Sequence, residues 1–463
     1  MNKPVKSAVL VGIQLPKVTT ADFDASLQEL TRLVTTLGYN VVGQVTQRRS
    51  SDRSALVLGE GKLKELAQWT GGTGVVASVV DVKLSKAKLK WQDDKEETEE
   101  PEEVIVDEEI VDEDVLPEDK KNSAQIVIVD TDLSPSQIRN LESATGVTVF
   151  DRTGVIIEIF SRHAKTKTAR LQVEIARLTY LAPRLRETGN SEDRQGGGGK
   201  GVGESSAELD KRKVRDRIKE LKVELEAIGN QHQTRRNRRD QEISVALVGY
   251  TNAGKSSLMR AMTGSEIYVA DKLFATLDTT IRAIHPETRP KVLLSDTVGF
   301  IKKLPHDLVA SFKSTLDEAL NASLLLFVVD SSDPSFRSQL QVTKTVLGEV
   351  GASDIPSLLV LNKRDNLSED EAKALKEEFP EAIMISTRDK DDLKAMRDKI
   401  MSYFETDMID EDIFIPYTTQ GIIGEIRSKI RVLSESYNEH GVTLKVRSSE
   451  KTIAQIKNKI TQK

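Results

Sequence analysis

Two patterns of apolar residues alternate through the first part of the chain: short continuous runs, and residues spaced three or four positions apart. The run VKSAVLVGIQL at residues 5–15 is continuous enough to predict a buried strand, and the segment from Tyr39 to Val45 predicts a second. Between these strands, apolar side chains recur every three or four residues, at Phe23, Leu27, Leu30, Val34 and Leu37. This spacing places them on one face of a helix. The chain therefore opens as an α/β domain.

The same alternation continues, with one interruption, to residue 160. A helix near Gly61 to Trp69 and a strand at 75–82 precede the interruption, and a strand at Ile126 to Asp130 follows it. The sequence Ser134-Pro135-x-Gln137 is typical of a helix N-terminus, because the serine caps the helix and the glutamine reaches back. A strand at 147–150 comes next. Residues 1–160 are therefore predicted to form one N-terminal α/β domain that an insertion divides.

The interruption is strongly acidic. Residues 92–119 hold sixteen carboxylates and one lysine, a net charge of −15, whereas the whole chain carries −6. The remaining residues must therefore carry a net +9. The few apolar side chains of the insert are too diluted by like charge to form a core, so we predict that residues 92–122 are disordered.

Two long amphipathic segments follow, and they carry most of the positive charge. Apolar residues recur at steps of four and three on both sides of a glycine-rich stretch; they are Leu171, Ile175, Leu178, Ala182 and Leu185 before it, and Val214, Ile218, Leu221, Leu225 and Ile228 after it. Two narrow seams predict a helical hairpin over residues 161–241 with a glycine-rich tip at 187–205. A simple linker is the alternative for the tip. Residues 162–241 carry a net +8, which suits a polyanionic partner.

Residues 242–404 alternate strands and helices in the manner of a doubly wound, mainly parallel sheet. The first strand, ISVALV at 243–248, runs into Gly249-x-x-x-x-Gly254-Lys255-Ser256, which has the spacing of a phosphate-binding loop. The two glycines let the backbone turn tightly enough for its N–H groups to point at phosphate oxygens. Lys255 would reach the β- and γ-phosphates, and Ser256 would hold Mg²⁺. The sequence therefore predicts a nucleoside triphosphate site.

Later strands of this sheet are predicted to end in residues that bind Mg²⁺ and the γ-phosphate or that distinguish guanine from adenine. The sequence DTVG at 296–299 offers a carboxylate that can hold Mg²⁺ through water and the amide of Gly299, which can sense the γ-phosphate. The sequence NKRD at 362–365 ends in Asp365, whose carboxylate can accept two hydrogen bonds that guanine donates and adenine does not. A last strand brings Ser386 and Thr387 beneath the base. We therefore expect GTP and GDP as ligands.

Composition excludes several other kinds of chemistry. The chain has no cysteine, so disulfides, thiolate metal sites and cysteine nucleophiles are excluded, and its five histidines lack ligand spacing. No run of 18 apolar residues predicts a membrane span, and the first residues lack the pattern of a signal peptide. We expect a cytoplasmic protein with no membrane partner.

With its loops in this order, the segment 242–404 resembles the translation-factor-related class of GTPases. The resemblance implies that residues 274–278 form the first switch, that Thr276 binds Mg²⁺ and the γ-phosphate, with Thr279 and Thr280 as alternatives, and that Asn252 helps to bind an activating K⁺. The predicted catalytic residues are Lys255, Thr276, Gly299 and Asn252, and the predicted metal ligands are Ser256 and Thr276. The predicted nucleotide contacts are Gly249, Tyr250, Thr251, Asn252, Ala253, Gly254, Lys255, Ser256, Phe274, Ala275, Thr276, Leu277, Asp278, Asp296, Thr297, Val298, Gly299, Asn362, Lys363, Arg364, Asp365, Ser386, Thr387 and Arg388.

The flanking segments narrow the resemblance to one family. They include RSSDRSALVLGEGKLKEL, LDKRKVRDRIKELKVELE, GYTNAGKSSL, FATLDTT and SDTVGFIKKLPHDLVASF, which are similar to segments of the HflX family of ribosome-binding GTPases. The resemblance implies a GTPase that binds the large ribosomal subunit and its rRNA, places the hairpin tip near the peptidyl-transferase region and splits stalled or idle ribosomes. We further expect a monomer. Residues 405–463 are predicted to form a small C-terminal α/β domain in the order strand, helix, strand, helix.

Two other functions fit the same residues. An RNA-modification or ribosome-assembly GTPase is the first alternative, although the chain has no cysteine and no second catalytic constellation. A non-catalytic scaffold that uses the nucleotide only as a lock is the second, although the phosphate-binding loop is intact.

Overall fold

The chain divides into two compact units, Met1–Ile156 and Ile157–Lys463. The computed structural model describes residues 6–76, 121–185, 206–236, 243–265, 273–274, 276–277, 279–303, 318–406, 408–418 and 421–461. The predicted strand beyond residue 76, the acidic insert up to residue 120 and the glycine-rich tip lie outside these residues. Within them, no helix has both the length and the hydrophobicity that a bilayer crossing requires.

The first unit is built on a four-stranded parallel sheet, as the α/β prediction requires. Its strands are β1 (Ser7–Gln14), β2 (Asn40–Arg48), β3 (Ile126–Val129) and β4 (Thr148–Asp151), in the spatial order β2-β1-β3-β4. Its helices are α1 (Thr20–Thr36), α2 (Glu60–Thr70) and α3 (Pro135–Thr145). The predicted cap of α3 is confirmed, since the Ser134 hydroxyl accepts from the Gln137 amide and the Gln137 side chain accepts from the Ser134 amide.

A buried arginine joins three elements of the first unit. Arg152, 1% exposed, begins the helix α4 (Arg152–His163), pairs with Asp130 at 2.7 Å after β3, and also pairs with Glu29 of α1. Removing one member of such a buried pair costs about 3–5 kcal/mol, because the other charge is left without compensation. Helix α4 was not predicted from the apolar periodicity, and it crosses the domain boundary predicted at residue 160.

Two packed helices follow in the second unit. They are α5 (Lys167–Leu181), which ends in a 3₁₀ turn at Ala182–Arg184, and α6 (Ser206–Arg236). Their contact is an apolar seam of Leu171, Ile175 and Leu221, against which further leucine and isoleucine side chains pack. These residues belong to the periodic set that predicted the hairpin, so the seam forms as expected.

The next part of the second unit is a six-stranded sheet in the order β10-β9-β8-β5-β7-β6. Its strands are β5 (Ile243–Val248), β6 (Thr280–Ala283), β7 (Val292–Asp296), β8 (Leu324–Asp330), β9 (Ser357–Asn362) and β10 (Ile383–Met384). The helices that accompany it are α7 (Lys255–Thr263), α8 (Phe336–Glu349), α9 (Glu369–Glu378) and α10 (Lys390–Glu405). All strands are parallel except the edge strand β6, which the sequence reading missed. The doubly wound, mainly parallel fold class is confirmed, and the carboxyl ends of its strands form the edge where ligands bind in such sheets.

The chain ends in a three-stranded antiparallel sheet, in the order β11-β13-β12. Its elements are β11 (Ile409–Pro416), α11 (Ile422–Lys429), β12 (Arg431–Asn438), β13 (Gly441–Ser448) and α12 (Glu450–Thr461). The single strand predicted after α11 is wrong, because the segment folds into a hairpin. The Asn438 side chain accepts hydrogen bonds from the amides of His440 and Gly441 and so closes the turn between its two strands.

Candidate functional site

Close approach of backbone to backbone shapes the loop between β5 and α7. A Cβ on Gly249 would lie 2.1 Å from the carbonyl oxygen of Val328 in β8, so no side chain fits there. Gly254 caps α7 at φ +94°, and a Cβ on it would lie 2.2 Å from the side-chain nitrogen of Asn362. Its N-cap residue, Gly254, has no side chain to cap the first turn of α7. Its amides therefore face the loop at the positive end of the helix, which favours an anion.

Lys255 lies inside this loop and is 6% exposed. Its ammonium donates hydrogen bonds to the carbonyl oxygens of Gly249 at 2.9 Å and Tyr250 at 2.7 Å. Burial lowers the pKa of Lys255 to about 8, although the nearby carboxylate of Asp296 acts in the opposite direction. A second negative charge beside the ammonium, such as a phosphate, would favour its charged form further.

Three oxygen-bearing side chains meet beside the lysine. The hydroxyl of Ser256 donates to Asp296 Oδ2 at 2.6 Å, and the Thr276 hydroxyl lies 2.8 Å from Ser256 Oγ and 3.2 Å from Asp296 Oδ2. Burial raises the pKa of Asp296, whereas Lys255 and the two hydroxyls lower it. Asp296 Oδ1 is also buried and accepts no hydrogen bond from the described residues. An all-oxygen set with one carboxylate fits Mg²⁺, which takes its remaining ligands from water and phosphate.

The segment after β7 lies against the same loop. The amide of Thr251 donates to the carbonyl of Phe300 at 2.8 Å, and the Phe300 amide donates to the carbonyl of Gly249 at 3.1 Å. A Cβ on Gly299 would lie 2.8 Å from the Thr251 methyl group, so this approach also requires glycine. The other predicted contacts of this region are buried; they are Tyr250, Ala253, Thr297 and Val298.

The sequence NKRD lies at the end of β9, beside the phosphate-binding loop. The side chain of Asn362, 1% exposed, donates to the carbonyl of Ala253 at 2.9 Å and so joins the two loops. The Asp365 carboxylate accepts a hydrogen bond from Ser386 Oγ at 2.8 Å and pairs with Arg388 at 3.1 Å. It is about one-third exposed, at 32%. The two loops expected to read the base therefore meet at Asp365, next to the loop expected to hold the phosphates.

Two carboxylates that the sequence analysis did not single out as site residues hold this loop in place. Asp330, at the end of β8, accepts from the Lys363 ammonium at 2.6 Å. Asp392, in the first turn of α10, pairs with Arg364 at 3.1 Å and accepts from the Ser386 amide at 2.8 Å. The available signals were the position of Asp330 at a strand end and the acidic first turn of α10.

The remaining predicted residues occupy different environments. Phe274 and Leu277 are buried, at 2% exposure each, and the Phe274 ring contacts Phe160 of α4. Asn252 is exposed and has φ +60°, and Thr387 is partly exposed. Ala275 and Asp278 lie outside the described residues. The nucleotide contacts assigned from sequence stay predictions, although the structure brings most of their residues to one edge of the sheet.

Comparisons with known proteins cover nearly the whole chain. Three family models match it: "GTP-binding GTPase N-terminal" at residues 24–98 and 108–161, "GTP-binding GTPase Middle Region" at 163–239 and "50S ribosome-binding GTPase" at 244–363. The GTPase HflX of Gluconacetobacter diazotrophicus is 54% identical over 457 residues, which is 99% of this chain and 98% of that protein. The GTPase HflX of Escherichia coli is 37% identical, over 81% of this chain and 76% of that protein. A solved GTP-binding protein from Sulfolobus solfataricus, in complex with GDP, is 24% identical with a TM-score of 0.41, over 86% and 98% of the two chains.

The two glycines that flank α7 provide a direct test of the loop geometry. Gly254→Ala should weaken guanine-nucleotide binding more than about tenfold, because both the left-handed backbone and the contact with Asn362 oppose a Cβ. Gly264→Ala, at the other end of the helix and also at positive φ (+63°), is the matched control, since its Cβ meets only an ordinary contact at 3.8 Å. It should cost about 1–2 kcal/mol of stability and leave binding unchanged. Titration with a fluorescent guanine nucleotide distinguishes the two, and equal binding by both variants would refute the role given to Gly254.

Proposed function

Because this chain belongs to the HflX family of GTPases, we propose that it uses GTP to split or rescue stalled or idle ribosomes, acting as a monomer on the large subunit. The chain is a GTP hydrolase, so the scaffold alternative is set aside. The observation that supports the proposal is the presence, in one chain, of a converged nucleotide site and a basic two-helix hairpin. Hydrolysis to GDP and phosphate would then release the factor.

In this proposal the phosphates of GTP bind at the amino end of α7. Lys255 and the loop amides hold the β- and γ-phosphates, and the Gly299 amide contacts the γ-phosphate. Ser256 and Thr276 would bind Mg²⁺, and Asp296 would hold it through water; the convergence of the three side chains within 3.2 Å supports this assignment. The ion would neutralise charge that develops on the phosphate oxygens.

The position after DTVG affects the rate of hydrolysis. This position holds Phe300, which is 2% exposed and has no side-chain amide to orient the attacking water. We therefore propose slow intrinsic turnover that a K⁺ ion beside the phosphates accelerates. Asn252 supports this proposal because it is exposed in the phosphate-binding loop, with its backbone in the left-handed region.

The hairpin is the part proposed to contact rRNA. The α6 residues Lys211, Arg212, Lys213 and Arg215 are exposed, within a segment of net charge +8. Such a surface attracts phosphates in a salt-dependent manner and without reading sequence. The glycine-rich tip, with Lys200 near its centre, is proposed to enter the large subunit, because glycines carry no bulk and fit a narrow RNA cavity.

Asp365→Asn tests the reading of guanine. Asparagine keeps one acceptor oxygen, but it loses the negative charge and places an NH₂ donor opposite a guanine donor. Because hydrogen bonds to a charged group contribute about 1.5–3 kcal/mol each, GTP binding should weaken about a hundredfold. Xanthosine triphosphate should bind better, since its 2-oxo group accepts from the new amide. Asp370→Asn, an exposed position on α9, is the matched control and should change neither affinity. Unchanged GTP affinity in Asp365→Asn would remove the assignment.

A comparison of cations tests the assignment of Asn252. GTP hydrolysis should be on the order of tenfold faster in KCl than in NaCl at equal ionic strength, because a fixed cation offsets transition-state charge. Asn252→Ala should lose this difference and keep the sodium rate. Equal rates of the parent protein in both salts would contradict the proposal.

A deletion tests the hairpin tip. Removal of residues 196–203 should leave guanine-nucleotide binding intact and abolish subunit separation, measured by light scattering of intact ribosomes with GTP. Removal of residues 93–100, eight residues of the acidic insert, is a control of equal length and should separate subunits like the parent. If the tip deletion also separates subunits at the parent rate, the glycine-rich stretch is only a linker.

A further inference from the structure

An aromatic pair connects α4 with the segment predicted to be the first switch. The ring centroids of Phe160 and Phe274 lie 4.5 Å apart, and the rings meet edge to face at 78°. Both residues belong to the second unit, and they are 1% and 2% exposed. Aromatic pairs in this geometry contribute more than the apolar area that they bury. The contact therefore favours this position of the Phe274 ring.

The backbone of Phe274 is strained. Its φ of +56° lies in the left-handed region, which a bulky aromatic residue rarely adopts. Such a conformation persists only where the surroundings enforce it, and it concentrates at ligand clamps and switches. The ring of Phe274 is buried against Phe160, and this contact opposes relaxation of the backbone. The strained residue lies two positions before Thr276, whose hydroxyl contacts both Ser256 and Asp296.

We propose that Phe160 is a positioning residue for GTP hydrolysis. It holds Phe274 and thereby places Thr276 beside Ser256 and Asp296, where Mg²⁺ is proposed to bind. Phe160 lies in the last turn of α4, and only residues 164–166 separate α4 from the hairpin helix α5. The nucleotide site and the root of the hairpin therefore share one buried contact. The inference rests on the role proposed above for Thr276.

A second aromatic pair provides the control for ordinary core packing. Phe336 of α8 is also 1% exposed and meets Phe379 in a T-shaped contact at 6.0 Å. Neither ring belongs to the loops of the candidate site. Truncation of Phe336 removes a similar amount of buried ring and reports the effect of a loosened core alone.

The experiment measures how Mg²⁺ supports binding of a fluorescent, non-hydrolysable GTP analogue. For Phe160→Leu, the Mg²⁺ concentration at half-maximal binding should rise about three- to tenfold, the increment expected from loss of an edge-to-face pair. Affinity for GDP without Mg²⁺ should not change. Phe336→Leu should lower the melting temperature and leave the Mg²⁺ midpoint unchanged. Phe274→Leu removes the same ring contact from the other side. It should repeat the shift of the Mg²⁺ midpoint, and it tests the inference if Phe160→Leu folds poorly.

Thr276→Ala, measured in parallel, separates the two levels of the proposal. If Thr276→Ala shifts the Mg²⁺ midpoint and neither Phe160→Leu nor Phe274→Leu does, the aromatic contact is only core packing and the inference fails. If Thr276→Ala shifts nothing, the proposed metal role of Thr276 fails first. A shift of equal size in Phe336→Leu would also overturn the inference. In the double variant of Phe160→Leu and Thr276→Ala, the shift should not exceed that of Thr276→Ala alone, because both changes act on one ligand.

Discussion

The burial of Lys255 and Asp296 at one edge of the central sheet is the constraint on which the site depends. Each buried charge costs several kcal/mol unless it is paired and hydrogen-bonded. Two carbonyls of the phosphate-binding loop accept from Lys255, and two hydroxyls surround one oxygen of Asp296. Both groups thus carry shifted pKa values, the lysine downward and the aspartate upward. The negative phosphates and the positive Mg²⁺ of a bound nucleotide would oppose these two shifts, so the buried charges favour the kind of ligand that the family hydrolyses.

This arrangement requires three backbone segments to approach their neighbours more closely than a residue with a side chain would allow. Gly249 lies against β8, Gly254 against Asn362 and Gly299 against Thr251, and each would place a Cβ within 2.8 Å of its neighbour. Parallel strands bring these segments together, because their carboxyl ends meet at one edge. Asn362 adds a hydrogen bond between the NKRD loop and the phosphate-binding loop. The NKRD loop and the phosphate-binding loop are therefore held against each other by a direct hydrogen bond.

The sequence predicted correctly those features that depend on residues close together in the chain. The phosphate-binding loop, the NKRD loop, the capped helix α3 and the hairpin seam depend on spacing within a few residues, and the structure contains each of these local elements. Helix α4, the edge strand β6 and the supporting carboxylates Asp330 and Asp392 were missed. The roles of these elements and side chains depend on partners distant in sequence. Strand β6 also has too few apolar residues to show the alternation that predicts a strand. The Phe160–Phe274 contact joins residues 114 positions apart, which no periodicity reveals.

The energy available to the switch limits what one contact can do. A ligand that reverses a two-state equilibrium from 1:99 to 99:1 must favour one state about 10⁴-fold. An aromatic pair supplies about three- to tenfold of this factor. To bias the hairpin, the γ-phosphate would therefore have to act through several contacts at once, such as those proposed for Thr276 and Gly299. The proposed contacts between the basic hairpin and rRNA would add further free energy, but they would favour one nucleotide state only where the two states present the hairpin differently. Under the proposed coupling, such a difference would enter at the root of the hairpin, where residues 164–166 join α4 to α5.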